Sequence, residues 1–323
     1  MKVFVTGGNG FIGSRVVQRL VASGHRVACL LRPTSNTDRI HGLGVERVPG
    51  DVRDLASLRA GMSACDCTIH LAAPSSWDGD ESPAVRQVIE GGTSNVLEVA
   101  GALRDHSVVF VSSTAAINAS DAPQVFDERS VYAIEDEPSL RYAHAKHRAE
   151  LVAGEAFRRG VRVIVVNPAE VYGPDDTSLV TAGNLIDFAE STPVLVCRGG
   201  TGIVHVEDVA AGVIAALERG RPGERYILGG ENVTIRQLVE LTLDLIGRRA
   251  TVLTIPNGLA RIASRAGIRL HLPLPYNPHV VPYATRYWFV DSSKAERELG
   301  VVFRSARETI RSTLAWLKET GRL

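Results

Sequence analysis

A short apolar run, Val3 to Val5, leads into Thr6-Gly7-Gly8-Asn9-Gly10-Phe11-Ile12-Gly13. From there apolar residues recur at three- and four-residue spacing: Ile12, Val16, Val17, Leu20 and Val21. That order reads as strand, glycine turn and amphipathic helix. Glycines at 7, 10 and 13 each have a mechanical reason in such a unit: a tight turn, close approach of a pyrophosphate to the backbone, and close packing of helix on strand. The helix N-terminus behind them offers amide donors and the positive end of its dipole to phosphates. The chain is therefore expected to open with a dinucleotide-binding unit, with Gly7, Gly10, Phe11, Ile12 and Gly13 against the cofactor.

The pattern continues. Arg26 to Leu31, Cys67 to Leu71, Val108 to Val111 and Val161 to Val166 are further β-branched runs, and most are separated by amphipathic segments. Gly24 follows the first helix, and Gly160 follows a helix expected from about Tyr142 to Arg159. Near-continuous apolar strands alternating with helices mean a parallel sheet covered on both faces, an α/β doubly wound (Rossmann) fold. Beyond Pro174 the pattern changes. Pro256, Pro273, Pro275, Pro278 and Pro282 fall within 27 residues, near Tyr276, Tyr283, Tyr287, Trp288 and Phe289. Because proline fixes φ and lacks a donor, this stretch is read as the irregular wall of a smaller C-terminal substrate lobe. The expected division is 1–174 with 205–229 for the dinucleotide, and 175–204 with 230–323 for the substrate.

The 323 residues carry 36 Lys and Arg against 36 Asp and Glu, with no basic run, so nucleic acid is not an expected partner. Of four cysteines only Cys65 and Cys67 are close, which gives neither a disulfide framework nor a pair of metal knuckles. All four are read as small buried apolar residues. No His, Asp or Cys set has metal-ligand spacing, and no metal is expected. The longest apolar stretch, Val209 to Leu217, is too short to span a membrane, and the opening MKVFVTGG lacks the pattern of a secretory signal. The expected setting is cytoplasmic and reducing.

The second strand ends Leu30-Leu31-Arg32-Pro33. An acidic residue at that tip would bind ribose hydroxyls, whereas a guanidinium suits a bidentate grip on a 2′-phosphate. Arg32 thus favours NADP, with NAD as the alternative.

Further segments follow in order: Asp51-Val52-Arg53-Asp54, His70-Leu71-Ala72-Ala73, Ser112-Ser113-Thr114, Tyr142-Ala-His-Ala-Lys146 and Asn167-Pro168-Ala169-Glu170-Val171-Tyr172-Gly173-Pro174. Val204-His205-Val206-Glu207-Asp208-Val209-Ala210 and Arg225-Tyr226-Ile227-Leu228-Gly229-Gly230 complete the set. With these, the chain resembles an extended short-chain dehydrogenase/reductase of the NAD(P)-dependent epimerase/dehydratase superfamily, dihydroflavonol-reductase-like, from residue 1 to the C-terminal helix. The resemblance implies Asp51 and Val52 against the adenine, Leu71, Ala72, Ala73 and Ser112 along the cofactor, and Pro168 and Val171 near the nicotinamide. It also fits a homodimer through the Tyr142 helix and a helix from about Val85 to Leu103. One departure is visible: Ile89 stands where the family often has Asn, three residues before a Gly-Thr pair.

On a helix, Tyr142 and Lys146 share a face. A phenol with a pKa near 10 exchanges protons poorly at neutral pH unless a cation stabilises its phenolate, and the Lys146 ammonium is placed to do so. Seven tyrosines and the lysines at 2, 146, 294 and 318 would give this spacing by accident about 0.09 times. The hydroxyls of Ser112, Ser113 and Thr114 close a strand at the end where ligands bind. The family pattern places the catalytic hydroxyl at Thr114, with Ser113 as the fallback. His144 and His147 lie off the Tyr/Lys face and are read as surface or packing residues. His205 and Asp208 are read as structural, Asp208 capping a helix from Val209.

The expected activity is NADPH-dependent reduction of a ketone on a small, ring-bearing metabolite. A nucleotide-sugar epimerase or dehydratase with bound NAD is the alternative, and a non-catalytic NADP sensor a third. Relatives that bind nucleotide sugars usually show an Arg before the Asp-Val-Ala helix to clamp the diphosphate. Here Gly199-Gly200-Thr201-Gly202 puts Thr201 at that place, with Arg198 nearby. Tyr276, Tyr283, Tyr287 and Trp288 are candidates for an apolar pocket wall or for the core of the lobe.

Overall fold

The computed structural model describes residues 1–74, 83–270 and 277–323. In chain order its strands are β1 (Lys2–Thr6), β2 (Arg26–Leu31), β3 (Glu46–Pro49), β4 (Cys67–His70), β5 (Ser107–Val111), β6 (Val125–Phe126) and β7 (Arg162–Pro168). There follow β8 (Glu170–Tyr172), β9 (Val194–Val196), β10 (Gly200–His205), β11 (Arg225–Leu228), β12 (Glu231–Thr234), β13 (Val252–Thr254) and β14 (Tyr287–Val290).

Seven strands form a parallel sheet in the order β11-β7-β5-β4-β1-β2-β3. Val3 lies opposite both Val27 and Cys67. Side chains alternate across a pleat, so Val3 and Val5 enter one core and Phe4 the other, all fully buried. Burial of each contributes about 1.5–3 kcal/mol. Helices Phe11–Ala22, Val206–Arg219 and Ser293–Leu299 cover the first face. Leu55–Met62, Gly92–Gly101 and Arg141–Arg158 cover the second. This is the doubly wound architecture that the alternating pattern predicts.

The chain winds outward from β1 through β2 to β3, then returns to β4 on the other side of β1. Such a reversal opens a crevice beyond the carboxyl ends of the two central strands. Its walls touch backbone to backbone. Gly7 has φ +71°, and a Cβ there would stand 2.8 Å from the Ala72 nitrogen; a Cβ on Gly13 would stand 2.1 Å from the Gly7 oxygen. Only glycine fits either place.

A second sheet runs β12-β10-β14-β6, with β8 beside β10, and β9 pairs with β13. Helices Ala182–Glu190, Ile235–Ile246 and Ala306–Glu319 close a separate core around Tyr172, Leu185, Ile203, Leu238 and Ile310. Both β6 and β8, which precede residue 174, belong to this sheet.

Several local expectations need correction. The helix read from Val85 to Leu103 is interrupted: a five-residue π turn, Gln87–Gly91, precedes Gly92–Gly101. The proline-rich stretch is less irregular than its composition suggests. Pro256 immediately precedes a helix, Asn257–Leu270, and Pro282 sits in the first turn of a short one, Val281–Ala284. The prolines flank these elements, where the missing donor does no harm. Pro273, Pro275 and Tyr276 lie outside the described residues. Asp208 is not a cap, because the helix starts at Val206: His205 caps it, Nδ1 accepting from the Glu207 amide at 3.0 Å. Asp208 instead accepts from the Arg304 amide and pairs with its guanidinium. No described helix is long and apolar enough to cross a membrane.

Candidate active site

All the residues assigned above to cofactor or chemistry line the same cavity, which has a volume of about 1340 Å³. That exceeds the roughly 300–1,000 Å³ of a single-ligand pocket and leaves room for a cofactor beside a substrate. On the cofactor side Gly10 precedes the first helix without a side-chain cap, so the first-turn amides of Phe11, Ile12 and Gly13 face the crevice as orphan donors. The cradle that a Cβ would fill at Gly7 and Gly13, and this amide-rich helix end, fit a pyrophosphate. Arg32 is exposed at the tip of β2, its amide donating to Ser35 Oγ at 3.1 Å. Asp51 accepts from Arg53 Nε and Nη2 at 2.9 and 2.8 Å, and this pairing holds its carboxyl below the usual range. Val52 packs against Gly92.

Arg39 was not anticipated. It lies in the 3₁₀ turn Asp38–Ile40 and lines the cavity. Its Nη2 donates to Thr177 Oγ1 at 2.7 Å and to the Asp175 carbonyl at 2.5 Å. It thereby ties the turn after β2 to the loop after β8. The available signal was a second arginine seven residues beyond Arg32.

Behind the crevice wall runs a buried chain of hydrogen bonds. Thr93 Oγ1 donates to the Ile89 carbonyl at 2.6 Å, so His70 Nε2, 3.1 Å away, donates to Thr93. His70 Nδ1 then accepts from Thr6 Oγ1 at 2.7 Å, and Thr6 accepts from the Ala72 amide at 3.3 Å. Burial pushes His70 down to about 3, so the ring is neutral and this tautomer is fixed. Ile89, the departure from the family pattern, has its side chain in the core and contributes its carbonyl to the π turn.

At the chemical end, Lys146 is 3% exposed, with Nζ donating to the Val111 carbonyl at 3.1 Å and standing 5.9 Å from the Tyr142 ring centre. Helix Arg141–Arg158 puts the two residues one turn apart. Burial pushes the ammonium down to about 8, against the opposing pull of Glu150. The hydroxyls after β5 divide their tasks. Ser112 Oγ donates to Glu150, which also accepts from Asn167. Ser113 Oγ accepts from the Ala115 amide and caps the turn Thr114–Ala116. Thr114, buried at the start of that turn, lines the cavity.

His144 and His147 pack, as expected. His144 donates through Nε2 to the Glu137 carbonyl and accepts from the Tyr132 hydroxyl at 2.7 Å, while His147 stacks on Tyr132 at 3.9 Å. Three cysteines are buried; Cys197 is half-buried and lines the cavity. Among the described residues no group of three His, Cys, Asp or Glu forms a metal site.

The substrate end draws on distant segments. Trp288 and Tyr283 line it as a stacked pair, Trp288 Nε1 donating to the Tyr283 carbonyl at 3.0 Å. Tyr287 instead packs edge-on to Phe289, and Tyr276 lies outside the described residues. Thr201 is buried against the cavity, whereas Arg198 is exposed and outside its lining. Glu170 and Asn184, also not anticipated, complete this end.

A model of the NAD dependent epimerase/dehydratase family matches residues 3–229. The chain is 31% identical to the sterol demethylase protein B of Methylococcus capsulatus, over 99% of each chain. It is also 31% identical to the 4-hydroxy-2-methyl-3-oxo-4-farnesyl-3,4-dihydroquinoline-1-oxide ketoreductase of Stigmatella aurantiaca, over 99% of this chain and 97% of that one. Among solved structures, the dTDP-glucose 4,6-dehydratase of Streptomyces venezuelae with NAD bound is similar at a TM-score of 0.78 and 25% identity, covering 99% of this chain and 97% of that one. With the crevice, the glycine cradle and the Tyr/Lys pair in place, the chain belongs to the NAD dependent epimerase/dehydratase family and is an NAD(P)-dependent oxidoreductase of the short-chain dehydrogenase/reductase type.

Proposed function

We propose that this protein uses NADPH to reduce a ketone on a small, ring-bearing metabolite. The observation that carries the reading is Lys146, an ammonium buried to 3% exposure one helical turn from Tyr142 at the crevice. When bound, the cofactor supplies the hydride. Thr114 and Tyr142 hydrogen-bond the substrate carbonyl oxygen, and Tyr142 Oη gives up its proton as the alkoxide forms. Lys146 holds positive charge beside the phenol and favours its ionised form. Gly7, Gly10, Phe11, Ile12 and Gly13 cradle the pyrophosphate, Arg32 reads the 2′-phosphate, and Asp51 and Val52 meet the adenine. Leu71, Ala72, Ala73 and Ser112 line the path to the nicotinamide, which Pro168 and Val171 flank.

Residues 1–174 and 205–229 hold the cofactor in this reading, and 175–204 and 230–323 the substrate. A ring ketone is supported by the Stigmatella relative, whose named substrate is a farnesylated 3-oxo ring compound, and by Trp288 and Tyr283 in the cavity wall. A homodimer through helices Arg141–Arg158 and Gly92–Gly101 fits the 59% exposure of Leu151 on the first of them. The test is to follow NADPH and NADH absorbance separately with a panel of ketones, aldehydes and nucleotide sugars. NADPH consumption with ring ketones is expected. Diphosphate-dependent binding and turnover of UDP- or dTDP-sugars with NAD would replace the reading by an epimerase or dehydratase.

A further inference from the structure

The substrate end of the cavity contains a carboxylate that no step above uses. Strand alternation sends Val171 of β8 into the sheet core and sets Glu170 and Tyr172 on the opposite side. Tyr172, fully buried, donates its hydroxyl to Glu170 Oε1 at 2.6 Å, and Asn184 Nδ2 donates to the same oxygen at 3.1 Å. Thr201 stands nearby on β10, its Oγ1 donating to the Gly202 carbonyl at 3.3 Å. Burial pushes the carboxyl up, the hydrogen bonds from Tyr172 and Asn184 oppose that shift, and among the described residues no cation adds to them.

The distribution of charge in the cavity sharpens this. Among the described lining residues the cations are Arg32 and Arg39 on the cofactor side and Lys146 beside Tyr142 where the two ends meet. Asp176 is occupied in capping helix Ala182–Glu190, accepting from the amides of Thr181 and Ala182 at 3.0 Å. Asp187 adds further negative charge. A half-buried carboxylate held by neutral donors costs the fold more than an amide would, and a glutamine would satisfy the same neighbours. A ligand with its own donor completes the site, whereas an anion there meets uncompensated repulsion.

We propose that Glu170 sets the charge rule of the substrate end: it rejects carbonyl compounds that carry a carboxylate or phosphate and takes a hydrogen bond from a hydroxyl group of a neutral ketone. This rests on the reductase reading and narrows it to neutral hydroxyketones. Thr201, where a diphosphate clamp would stand, is then not merely a missing cation but a neighbour of an anion.

The test uses three matched probes, acetophenones bearing ethyl, hydroxymethyl or carboxylate at the para or meta position. Their binding to the NADP-loaded protein is followed by calorimetry, and turnover by NADPH absorbance. The wild type is expected to bind the hydroxymethyl probe best and the carboxylate at least tenfold more weakly. Glu170→Gln keeps an acceptor for Tyr172 and Asn184, and is expected to narrow that gap to within about threefold with NADP affinity unchanged. Asn184→Lys, which brings an ammonium beside the carboxylate, is expected to admit the carboxylate probe in the same way and guards against a folding defect in the first variant. Equal affinity for all three probes, or binding of none, overturns the charge rule, as does a Glu170→Gln variant that retains the wild-type gap. Discrimination in binding without NADPH consumption sinks the reductase reading and leaves the charge rule standing. Consumption without discrimination does the reverse.

Discussion

The two ends of the cavity are built differently. The cofactor end is walled by backbone: Gly7 against Ala72, Gly13 against Gly7, and the amides at the start of helix Phe11–Ala22, all at the ends of adjacent strands of one sheet. Its charged side chains are Arg32 and Arg39, with Asp38 and Asp51. The other end, which the proposal gives to the substrate, is walled by side chains from segments far apart in the chain, including Glu170, Asn184, Thr201 and Trp288, and its titratable side chains among the described residues are acidic. Backbone walls accept one shape and survive substitution of neighbouring side chains. Side-chain walls change with each substitution. A family that shares the first end can therefore diverge at the second.

The contrast breaks most sharply at the junction of the ends. Tyr142→Phe removes one oxygen and leaves the ring that stands beside Lys146. Turnover is expected to fall at least about a hundredfold, the scale of a lost general acid, with NADPH affinity unchanged. Steady-state rates and fluorescence titration check this. Turnover within a few-fold of wild type would take Tyr142 out of the chemistry.

The cofactor end is addressed by Arg32→Asp. Losing one charge-assisted contact and placing a carboxylate at the strand tip is expected to weaken NADP by roughly 1.5–3 kcal/mol, about ten- to a hundredfold, while NAD is spared. Equal loss for both cofactors would mean that Arg32 does not read the 2′-phosphate and would turn attention to Arg39, which also lines the crevice.

What could be read in advance follows the same division. The glycine turn and the Tyr142/Lys146 spacing are local: a few consecutive residues fix their geometry, so the sequence carries them openly. Arg39 escaped because its side chain crosses to Thr177, and 138 positions separate the two in the chain. Glu170 escaped because its meaning comes from β8 lying beside β10, a pairing of Ile203 with Glu170 that no local pattern announces. The misreading of Asp208 has a similar origin. An acidic residue before an apolar run looks like a cap, but the run begins at Val206 and the aspartate is occupied by Arg304. Pro256 and Pro282 misled by composition, since they sit at the starts of helices rather than break them.

A third prediction concerns charge where the ends meet. In the protein without ligand, Lys146 is pushed down to about 8, so it carries its proton below that pH and loses it above. If its charge supports Tyr142, kcat/KM, which reports the free enzyme, falls as pH rises through about 8 and is about tenfold lower near pH 9. Lys146→Arg keeps the charge at any accessible pH, so whatever activity it retains is expected to lack that limb. A wild-type profile flat from pH 7 to 10 would show that the lysine charge does not govern the site.

The smallest effect is expected behind the backbone wall, where Thr93→Val tests whether that wall is scaffold or ligand contact. Thr93 and His70 are each 1% exposed, and the substitution removes both the donor to the Ile89 carbonyl and the acceptor of His70 Nε2. Two buried groups lose partners that water does not replace, which destabilises the fold by about 1–3 kcal/mol. The ring is held neutral at pH 7 and is stacked on Phe110 at 5.6 Å between ring centres, so it has no compensating contact to turn toward. Yet the Gly7–Ala72 contact is fixed by two parallel strands on either side of the crevice, not by this chain alone. Chemical denaturation is therefore expected to show the loss of stability, while the NADPH dissociation constant moves by no more than a few-fold. A rise of more than tenfold in that constant at unchanged stability would mean that the Thr93–His70–Thr6 chain aims the Ala72 amide at the cofactor, and the wall would then depend on its side chains as the substrate end does.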